Sequence, residues 1–349
     1  MNHQFRPKKV VLDEVPQYAE ANTMYYIPEK ELPPGSRKER TDRNSPIIFP
    51  ALQELIHTMV FAILGSGGIG GHIDDSLARM LPKCIVIVDS GTFDMSNIHR
   101  QFAARIDTIG KSKALETARM IREVAPDVEI IICPDGTNPD SVYAILEDAH
   151  LGIDAIEYHR IGARYEAMQV AEELGLPVLN GNSVGFGTHL HFWPHTKDAS
   201  GILTHPSFNE AIPFDRAYAY QIEDRIASGT CTQKEYDLCC HTINKIYLPN
   251  IPNYGSKTYN TRELFLKRLF EERTACIVST NPKKAAGFLA NHVPIFLAQT
   301  LGEQNEWRNI PEIPVFPKYI YEDTALRILE TQSLDLKTIH YELSNCMPG

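Results

Sequence analysis

Four glycines in the stretch GSGGIG have the spacing of a phosphate-binding loop: Gly65, Gly67, Gly68 and Gly70. The apolar run TMVFAIL before them predicts a buried strand, and GHIDDSLARML after them predicts a helix. Glycines at such a turn let the backbone approach a ligand closely, and amide groups at the helix N-terminus point at an anion. The loop therefore predicts nucleotide binding. Alone, it suits a dinucleotide held for hydride transfer as well as ATP held for cleavage.

Polar and charged residues follow the loop in a specific order. Asp89 ends the next apolar run, CIVIVD, where a carboxylate can accept hydrogen bonds from ribose hydroxyl groups of NAD or ATP. The motif Asn97-Ile98-His99-Arg100-Gln101 comes next, and Gly110-Lys111-Ser112-Lys113 stands just before a predicted helix. In this order the sequence resembles the ThiF/MoeB/ubiquitin-activating enzyme superfamily, which has an Asn-x-x-Arg-Gln run and then Gly-x-x-Lys.

The resemblance assigns roles to these residues. It implies that Arg100 and Lys113 neutralise the triphosphate of ATP, with Asn97 and Gln101 as polar supports. A hydride-transferring enzyme has no need for such a pair of cations, because it never stabilises a leaving pyrophosphate. The cations therefore favour ATP over a nicotinamide cofactor.

The motif at the end of the fourth predicted strand departs from the superfamily pattern. Relatives usually have Asp-x-x-Asp-Asn there, and the second Asp holds Mg²⁺, whereas this chain has Asp154-Ala155-Ile156-Glu157-Tyr158. Glu157 still offers a hard oxygen ligand and is the expected Mg²⁺ ligand. Tyr158 cannot replace an asparagine amide. Arg164 matches an arginine found after this motif in relatives.

The N-terminal residues 1–45 are polar and contain prolines, which predicts an arm with little core of its own. Relatives have an Arg-Tyr-x-Arg-Gln run in which an arginine reaches into the ATP site of a partner subunit. Arg40-Thr41-Asp42-Arg43-Asn44 stands at a similar distance before the glycine loop. The resemblance implies that Arg43 acts in trans and that the enzyme is a homodimer.

The seven cysteines include no Cys-x-x-Cys pair, so the two-pair zinc site of many relatives is not expected. Neither the Cys239-Cys240-His241 cluster nor the pair His189 and His191 matches a common zinc module. Some relatives form a thioester at a cysteine after the sheet. Cys231 lies in the corresponding segment and is a possible acyl acceptor, with an ordinary loop thiol as the alternative.

The order of the predicted elements indicates the fold class. Strands alternate with helices from residue 46 onward, which predicts an α/β domain with a doubly wound, mostly parallel sheet and a Rossmann-like nucleotide site. GFGTHLHFWP and PKYIYED predict further strands, the first antiparallel, and a helix interrupted near Pro294 separates them. Residues 195–260 predict an irregular, tyrosine-rich insertion within a domain covering 46–349.

Bulk properties narrow the function classes. The chain has 349 residues, a formal net charge of −10, no export signal pattern and no apolar run long enough for a membrane span. We therefore expect a cytoplasmic protein with free thiols and without a nucleic-acid or membrane partner.

These features together predict ATP-dependent activation of a carboxylate as an acyl-adenylate, on a peptide or small protein. The resemblance favours a peptide-modifying branch that acts on ribosomally made precursor peptides in natural-product (antibiotic) biosynthesis, with residues 195–260 as the peptide-binding wall. Three alternatives stay open: a sulfur-carrier or ubiquitin-like protein adenylyltransferase, an NAD-dependent oxidoreductase, and a non-catalytic binding subunit.

Overall fold

The computed structural model describes residues 7–157, 160–212, 214–254, 260–270 and 276–346. The chain forms two compact units. The first comprises residues 1–155 and 286–313, and the second comprises residues 156–285 and 314–349. Within the described residues, no helix is both long and apolar enough to cross a membrane.

The first unit is built on six strands in the order β1-β2-β5-β4-β3-β6. Strands β3 to β6 are parallel to one another, β2 is antiparallel to β5, and β1 is parallel to β2. The strands are β1 Lys8–Val11, β2 Thr23–Ile27, β3 Val60–Leu64, β4 Cys84–Val88, β5 Glu129–Cys133 and β6 Leu151–Asp154. Leu64 is in register with Val88 and with Asp154, so the carboxyl ends of three parallel strands lie side by side.

The helices before β6 are α1 Ser36–Thr41, α2 Pro50–Thr58, α3 Gly70–Ala78, α4 Lys113–Val124 and α5 Val142–Leu146. Helices α3, α4 and α5 connect the parallel strands, as the alternating pattern predicts, whereas α1 and α2 lie between β2 and β3. The Ser112 hydroxyl caps α4 by accepting a hydrogen bond from the Leu115 amide at 3.5 Å. The predicted α/β fold with a mostly parallel sheet is confirmed.

The N-terminal segment was predicted to have little core of its own, and for β2 this was wrong. Met24, Tyr25 and Ile27 are at most 5% exposed, and β2 pairs with β5. The short run TMYYI is flanked by polar residues and prolines, so its apolar character is diluted in any longer window. A strand of five residues gains its stability from the sheet it joins rather than from its own pattern.

The second unit contains four strands that form an antiparallel meander in the order β7-β8-β9-β10. They are β7 Val178–Val184, β8 Gly187–Trp193, β9 Lys318–Asp323 and β10 Ile328–Ser333. The prediction of antiparallel strands here is confirmed. The helices of this unit are α6 Ile161–Leu174, α7 Phe208–Ala211, α8 Arg216–Ala227, α9 Gln233–Ile246, α10 Thr261–Phe270 and α12 Leu336–Cys346.

The prediction of an irregular insertion at residues 195–260 was wrong, because the helices α7, α8 and α9 lie within it. Tyr236 and Tyr247 have no exposed surface, so these two tyrosines are packing residues rather than part of a peptide-facing wall. Tyr259 lies outside the described residues. The periodicity of α8 and α9 is weak because polar residues, among them Glu223 and Glu235, lie on their buried faces.

A further helix, α11 Asn281–Thr300, is continuous through Pro294, so the predicted interruption was also wrong. Proline removes one helical hydrogen bond and crowds the preceding turn. Val293 and Leu297 are at most 3% exposed on either side of it. Burial of these apolar neighbours offsets the lost hydrogen bond. The sequence pattern alone does not reveal this burial, because it depends on tertiary packing.

Candidate nucleotide-binding site

The glycine loop lies between β3 and α3, and its backbone admits glycine only at two positions. Gly65 has φ of +104°, and its amide donates to the Val88 carbonyl at 2.8 Å. A Cβ atom on Gly70 would lie 1.6 Å from the Gly65 carbonyl oxygen. The first turn of α3 therefore folds directly onto the end of β3, which leaves the loop amides at a helix N-terminus suited to an anion.

Ser66 connects this loop to two carboxylates. Its backbone amide donates to Asp89 Oδ2 at 2.9 Å, and its hydroxyl donates to Asp74 Oδ2 at 2.9 Å. Asp89 also accepts a hydrogen bond from the Gly91 amide at 2.7 Å through its other oxygen. Asp89 is thus fixed by backbone amides of two loops, and each of its oxygens retains a lone pair for a ribose hydroxyl group.

The side chains of Lys113 and Asp89 both approach Gly91. A Cβ atom on Gly91 would lie 3.0 Å from Asp89 Oδ1 and 3.3 Å from Lys113 Nζ. The Lys113 amide also donates to the Gly91 carbonyl at 2.9 Å, which holds the start of α4 against this loop. Lys113 has no ion-pair partner in the described part of the chain, so its ammonium group is available to an anionic ligand.

Gln101 lies on the other side of the glycine loop. Its Nε2 is 3.9 Å from where a Cβ atom on Gly67 would stand. The side chain is 5% exposed, and its buried Oε1 has no hydrogen-bond partner among the described residues. Such an amide can hold a loop or a ligand donor in place. Of the remaining loop glycines, Gly68 is half-buried in the turn before α3.

Asn97 supports the turn that carries Arg100. Its side-chain Nδ2 donates to Asp94 Oδ1 at 2.8 Å, and its Oδ1 accepts from the Asp94 amide at 3.4 Å. The amides of Arg100 and Gln101 both donate to the Asn97 carbonyl, at 3.0 and 2.9 Å. Asn97 is 3% exposed, so its visible role is to shape this turn.

Arg100 itself is half-buried. One guanidinium nitrogen donates to the Ser96 carbonyl at 2.9 Å and lies 3.4 Å from His99 Nδ1. No carboxylate pairs with it within the described ranges. A guanidinium group without a carboxylate partner keeps its charge available for phosphate.

The arginines of the N-terminal segment differ sharply in their surroundings. Arg37 donates to Asp127 Oδ2 at 3.0 Å, and Arg40 pairs with Asp127 Oδ1. Burial alone would raise the pKa of Asp127, but these arginine contacts hold it below its usual value. Arg43 is exposed and has no ion-pair partner in the part of the chain that the structure describes. Two arginines therefore anchor the segment, and the third remains available.

The remaining predicted site residues belong to the second unit. Glu157 is exposed, and Tyr158 lies outside the described residues. Arg164 is fully buried, with its guanidinium carbon 4.5 Å from the centre of the Tyr247 ring. Cys231 is 7% exposed, and its thiol donates to the Thr232 carbonyl at 3.4 Å. Burial of Arg164 indicates a packing role, and burial of Cys231 leaves little access for an acyl group.

Metal ligands are sparse in the described residues, which contain no group of three or more His, Cys, Asp and Glu side chains able to hold an ion. His189 and His191 are fully buried among aromatic rings, with ring centres 4.8 Å from Tyr321 and 5.2 Å from Tyr319 respectively. Burial lowers the pKa of His191 to about 3. The pair is part of the core of its unit.

Two site features escaped sequence reasoning: Asp74 beneath Ser66, and Gly91 between Asp89 and Lys113. Helical periodicity in GHIDDSLARML places Asp74 beside Ile73 and Leu77 on the buried face, and an acid in that position is a detectable signal. Gly91 has no such signal, because its importance depends on how the two loops meet.

The sequence matches the profile of the ThiF family over residues 41–251. Among solved structures, PaaA is similar with a TM-score of 0.56 at 16% identity, covering 87% of this chain and 76% of that chain. The complex of E. coli MccB with MccA-N7isoASN has a TM-score of 0.54 at 15% identity, covering 86% and 72%. MccB with ATP gives 0.52 at 15% identity, covering 86% and 73%. At these identities the likeness establishes the fold.

Curated relatives match over shorter stretches. The NEDD8-activating enzyme E1 catalytic subunit of Saccharomyces cerevisiae is 30% identical over 134 residues, which is 37% of this chain and 45% of that protein. The adenylyltransferase and sulfurtransferase UBA4 of Candida albicans is 26% identical over 122 residues, or 35% and 27%. This chain therefore matches less than half the length of either relative.

Proposed function

Since the chain belongs to the ThiF family, which its residues 41–251 match, we propose that it is an ATP-dependent adenylyltransferase that activates a carboxyl group on a peptide or small protein. The observation that carries this proposal is the convergence of Asp89 and Lys113 at Gly91, beside the glycine loop. Asp89, as a hydrogen-bond acceptor for ribose, and Lys113, as a cation for phosphate, would therefore lie on the same side of the ligand as the loop amides. Arg100 supplies a second cation without a carboxylate partner in the described residues.

The proposed reaction follows from this arrangement. A carboxylate oxygen of the substrate attacks the α-phosphorus of ATP, and the bond between that phosphorus and the bridging oxygen to the β-phosphorus breaks. Pyrophosphate leaves with the electron pair, and the carboxyl group becomes an acyl-adenylate, from which AMP departs when a nucleophile attacks. Lys113 and Arg100 would stabilise the negative charge on the leaving pyrophosphate, and the glycine loop would hold the phosphates in line.

We propose Mg²⁺ as the partner of the triphosphate, with Glu157 as its protein ligand. The exposed carboxylate of Glu157 offers the hard oxygen that this ion prefers. Mg²⁺ usually keeps several waters and phosphate oxygens as ligands, so a single carboxylate suffices. The ion would supply charge neutralisation at the phosphates.

We also propose a homodimer in which Arg43 serves the ATP site of the other copy. The support is the contrast within one segment: Arg37 and Arg40 are bound to Asp127, whereas Arg43 is exposed and has no ion-pair partner in the described ranges. Because the segment is held in place by Arg37 and Arg40, the guanidinium group of Arg43 could bind phosphate oxygens in the site of the other copy.

For the substrate, we propose a ribosomally made precursor peptide, modified during natural-product biosynthesis. The fold of PaaA and of MccB, the latter solved with MccA, supports a peptide. A second candidate is a sulfur-carrier or ubiquitin-like protein, favoured by the likeness to UBA4 and to the NEDD8-activating subunit. Cys231 as an acyl acceptor remains a prediction, and direct attack on the adenylate by the substrate requires no cysteine.

The test is ATP–pyrophosphate exchange, measured with short peptides encoded beside the gene and, separately, with a sulfur-carrier protein. Exchange that depends on a peptide supports the first candidate, and exchange that depends on the carrier supports the second. Calorimetry with ATP and with NAD⁺ accompanies it. Tight NAD⁺ binding without exchange would identify an oxidoreductase, and binding of neither nucleotide would identify a non-catalytic subunit.

A further inference from the structure

Asp74 is a buried acid directly beneath the nucleotide loop. It lies on α3 with no exposed surface, and its Oδ2 accepts a hydrogen bond from the Ser66 hydroxyl at 2.9 Å. Its other oxygen, Oδ1, is buried and has no hydrogen-bond partner among the described residues. Leaving a charged carboxylate in such a position is costly, since half of its hydrogen-bonding capacity is unused.

The charged groups that act on Asp74 are themselves acidic: Asp89 from the loop after β4, and Asp75 on its own helix. Burial raises the pKa of Asp74 well above its usual value, and these two carboxylates raise it further, while the bond from Ser66 lowers it. Asp75 has a counter-ion of its own, because Arg79 pairs with it at 2.9 Å. Full burial, together with an Oδ1 atom that has no hydrogen-bond partner among the described residues, therefore favours the neutral acid over the carboxylate.

Ser66 links Asp74 to the proposed ligand site through two hydrogen bonds. Its hydroxyl bonds Asp74, while its amide bonds Asp89, the proposed ribose acceptor. We propose that Asp74, held as a neutral acid, positions Ser66 and leaves the region of α3 beneath the glycine loop without a negative charge, so that ionisation of Asp74 weakens ATP binding. The inference rests on the proposed function only in taking ATP as the ligand of this loop. No family motif of the sequence includes Asp74.

Two physical effects give the expected direction. An ionised Asp74 would place a second negative charge behind the phosphates, close to Asp89, and repel them. It would also hold the Ser66 hydroxyl by a stronger, charge-assisted bond and change the loop geometry. Both effects weaken binding of a triphosphate more than binding of adenosine, which carries no charge.

The experiment measures the dissociation constants of ATP and adenosine by calorimetry across the whole pH range in which the chain stays folded. The wild type should lose ATP affinity by about tenfold once Asp74 ionises, with a much smaller change for adenosine. Asp74→Asn should be nearly flat over this range. Asp75→Asn removes the neighbouring charge and is the matched control; it should keep the fall in ATP affinity and move it to lower pH, because the Asp75 carboxylate raises the pKa of Asp74.

Ser66→Ala provides an independent readout. Because the Ser66 bond lowers the pKa of Asp74, its loss should move the fall in ATP affinity to higher pH. A purely structural role would instead change affinity by the same factor at every pH in both variants, and that result would overturn the inference. Equal slopes for wild type and Asp74→Asn would also overturn it and leave the proposed function intact. Absence of any ATP binding by the wild type would refute the proposed function itself.

Discussion

A Cβ atom on Gly70 would lie 1.6 Å from the carbonyl oxygen of Gly65. The start of α3 and the end of β3 are therefore in backbone contact, with no space for a side chain between them. The positive φ of Gly65 reverses the chain direction after β3, and the missing side chain of Gly70 lets the start of α3 pack against Gly65. The shape of the candidate nucleotide site depends on this one contact, because every loop amide between the two glycines is placed by it.

Gly70→Ala should therefore destabilise the first unit and abolish ATP binding. We expect a loss of about 2–4 kcal/mol in the free energy of unfolding, because only backbone movement can relieve the overlap. Urea denaturation and calorimetry with ATP measure the two effects. The matched control is Gly287→Ala in α11, where an added Cβ meets nothing within 4 Å. That change should stabilise the chain by about 0.5–1 kcal/mol, and a similar loss in both variants would contradict our explanation.

Lys113→Ala should remove ATP-dependent activity and leave the fold intact. Lys113 forms no ion pair in the described residues, so its removal breaks no contact on which stability depends. We expect turnover to fall by about a hundredfold or more, as for other cations that stabilise a leaving phosphate. Lys111→Ala is the control: this lysine is exposed and only two positions away. Pyrophosphate exchange for both variants provides the measurement, and equal activities would remove Lys113 from its role.

Arg100→Ala gives a second test of the same charge neutralisation. Its guanidinium group bonds the Ser96 carbonyl, so a small loss of stability, under about 1 kcal/mol, is expected alongside the loss of exchange activity. Arg105→Ala, which removes an exposed arginine paired with Asp107, should keep full activity. Thermal unfolding separates the two effects. Normal exchange by Arg100→Ala would show that Lys113 alone meets the phosphates.

Arg43→Ala and Lys113→Ala should complement each other if Arg43 acts in trans. Each variant alone lacks one cation in every site, but a mixed dimer contains one site with both. After subunits are mixed and exchanged, activity should recover to about a quarter of wild type, because half of the dimers are mixed and each has one complete site. Recovery is measured by pyrophosphate exchange. A mixture that stays inactive while forming mixed dimers would place Arg43 in its own subunit's site or outside the site altogether.

The glycine loop and the motifs around it could be predicted from the sequence because their chemistry is local. Gly65 and Gly70 are required by a turn of six residues, and Asp89 and Lys113 follow strand and helix boundaries that the apolar periodicity marks. Asp74 could be placed on the buried face of α3 by periodicity but not assigned a role, since its bond to Ser66 depends on how the loop closes over the helix. The helices α8 and α9 escaped prediction because their stability comes from tertiary packing, which a sequence pattern with polar residues on the buried face does not reveal.

The buried histidines of the second unit predict sensitivity to acid. Burial lowers the pKa of His191 to about 3 and that of His195 to about 4, from 6.5 in both cases. The unfolded chain thus binds protons more readily than the folded chain below pH 6.5, so stability is present above that pH and is lost as pH falls toward the folded pKa values. Each histidine should contribute a slope of up to about 1.4 kcal/mol per pH unit.

His191→Phe tests this origin of the acid sensitivity. Phenylalanine keeps the ring that stacks on Trp193 and Tyr319 but cannot take up a proton, so the variant should lose less stability between about pH 6.5 and about pH 4 than the wild type. Trp193 fluorescence during urea denaturation, in a Trp307→Phe background, reports on this unit because the chain has only 2 tryptophans. His340→Phe, which alters an exposed histidine on α12, should keep the wild-type slope. Unchanged slopes in both variants would mean that His191 does not limit stability in acid, and the carboxylates of the unit would then have to account for the loss.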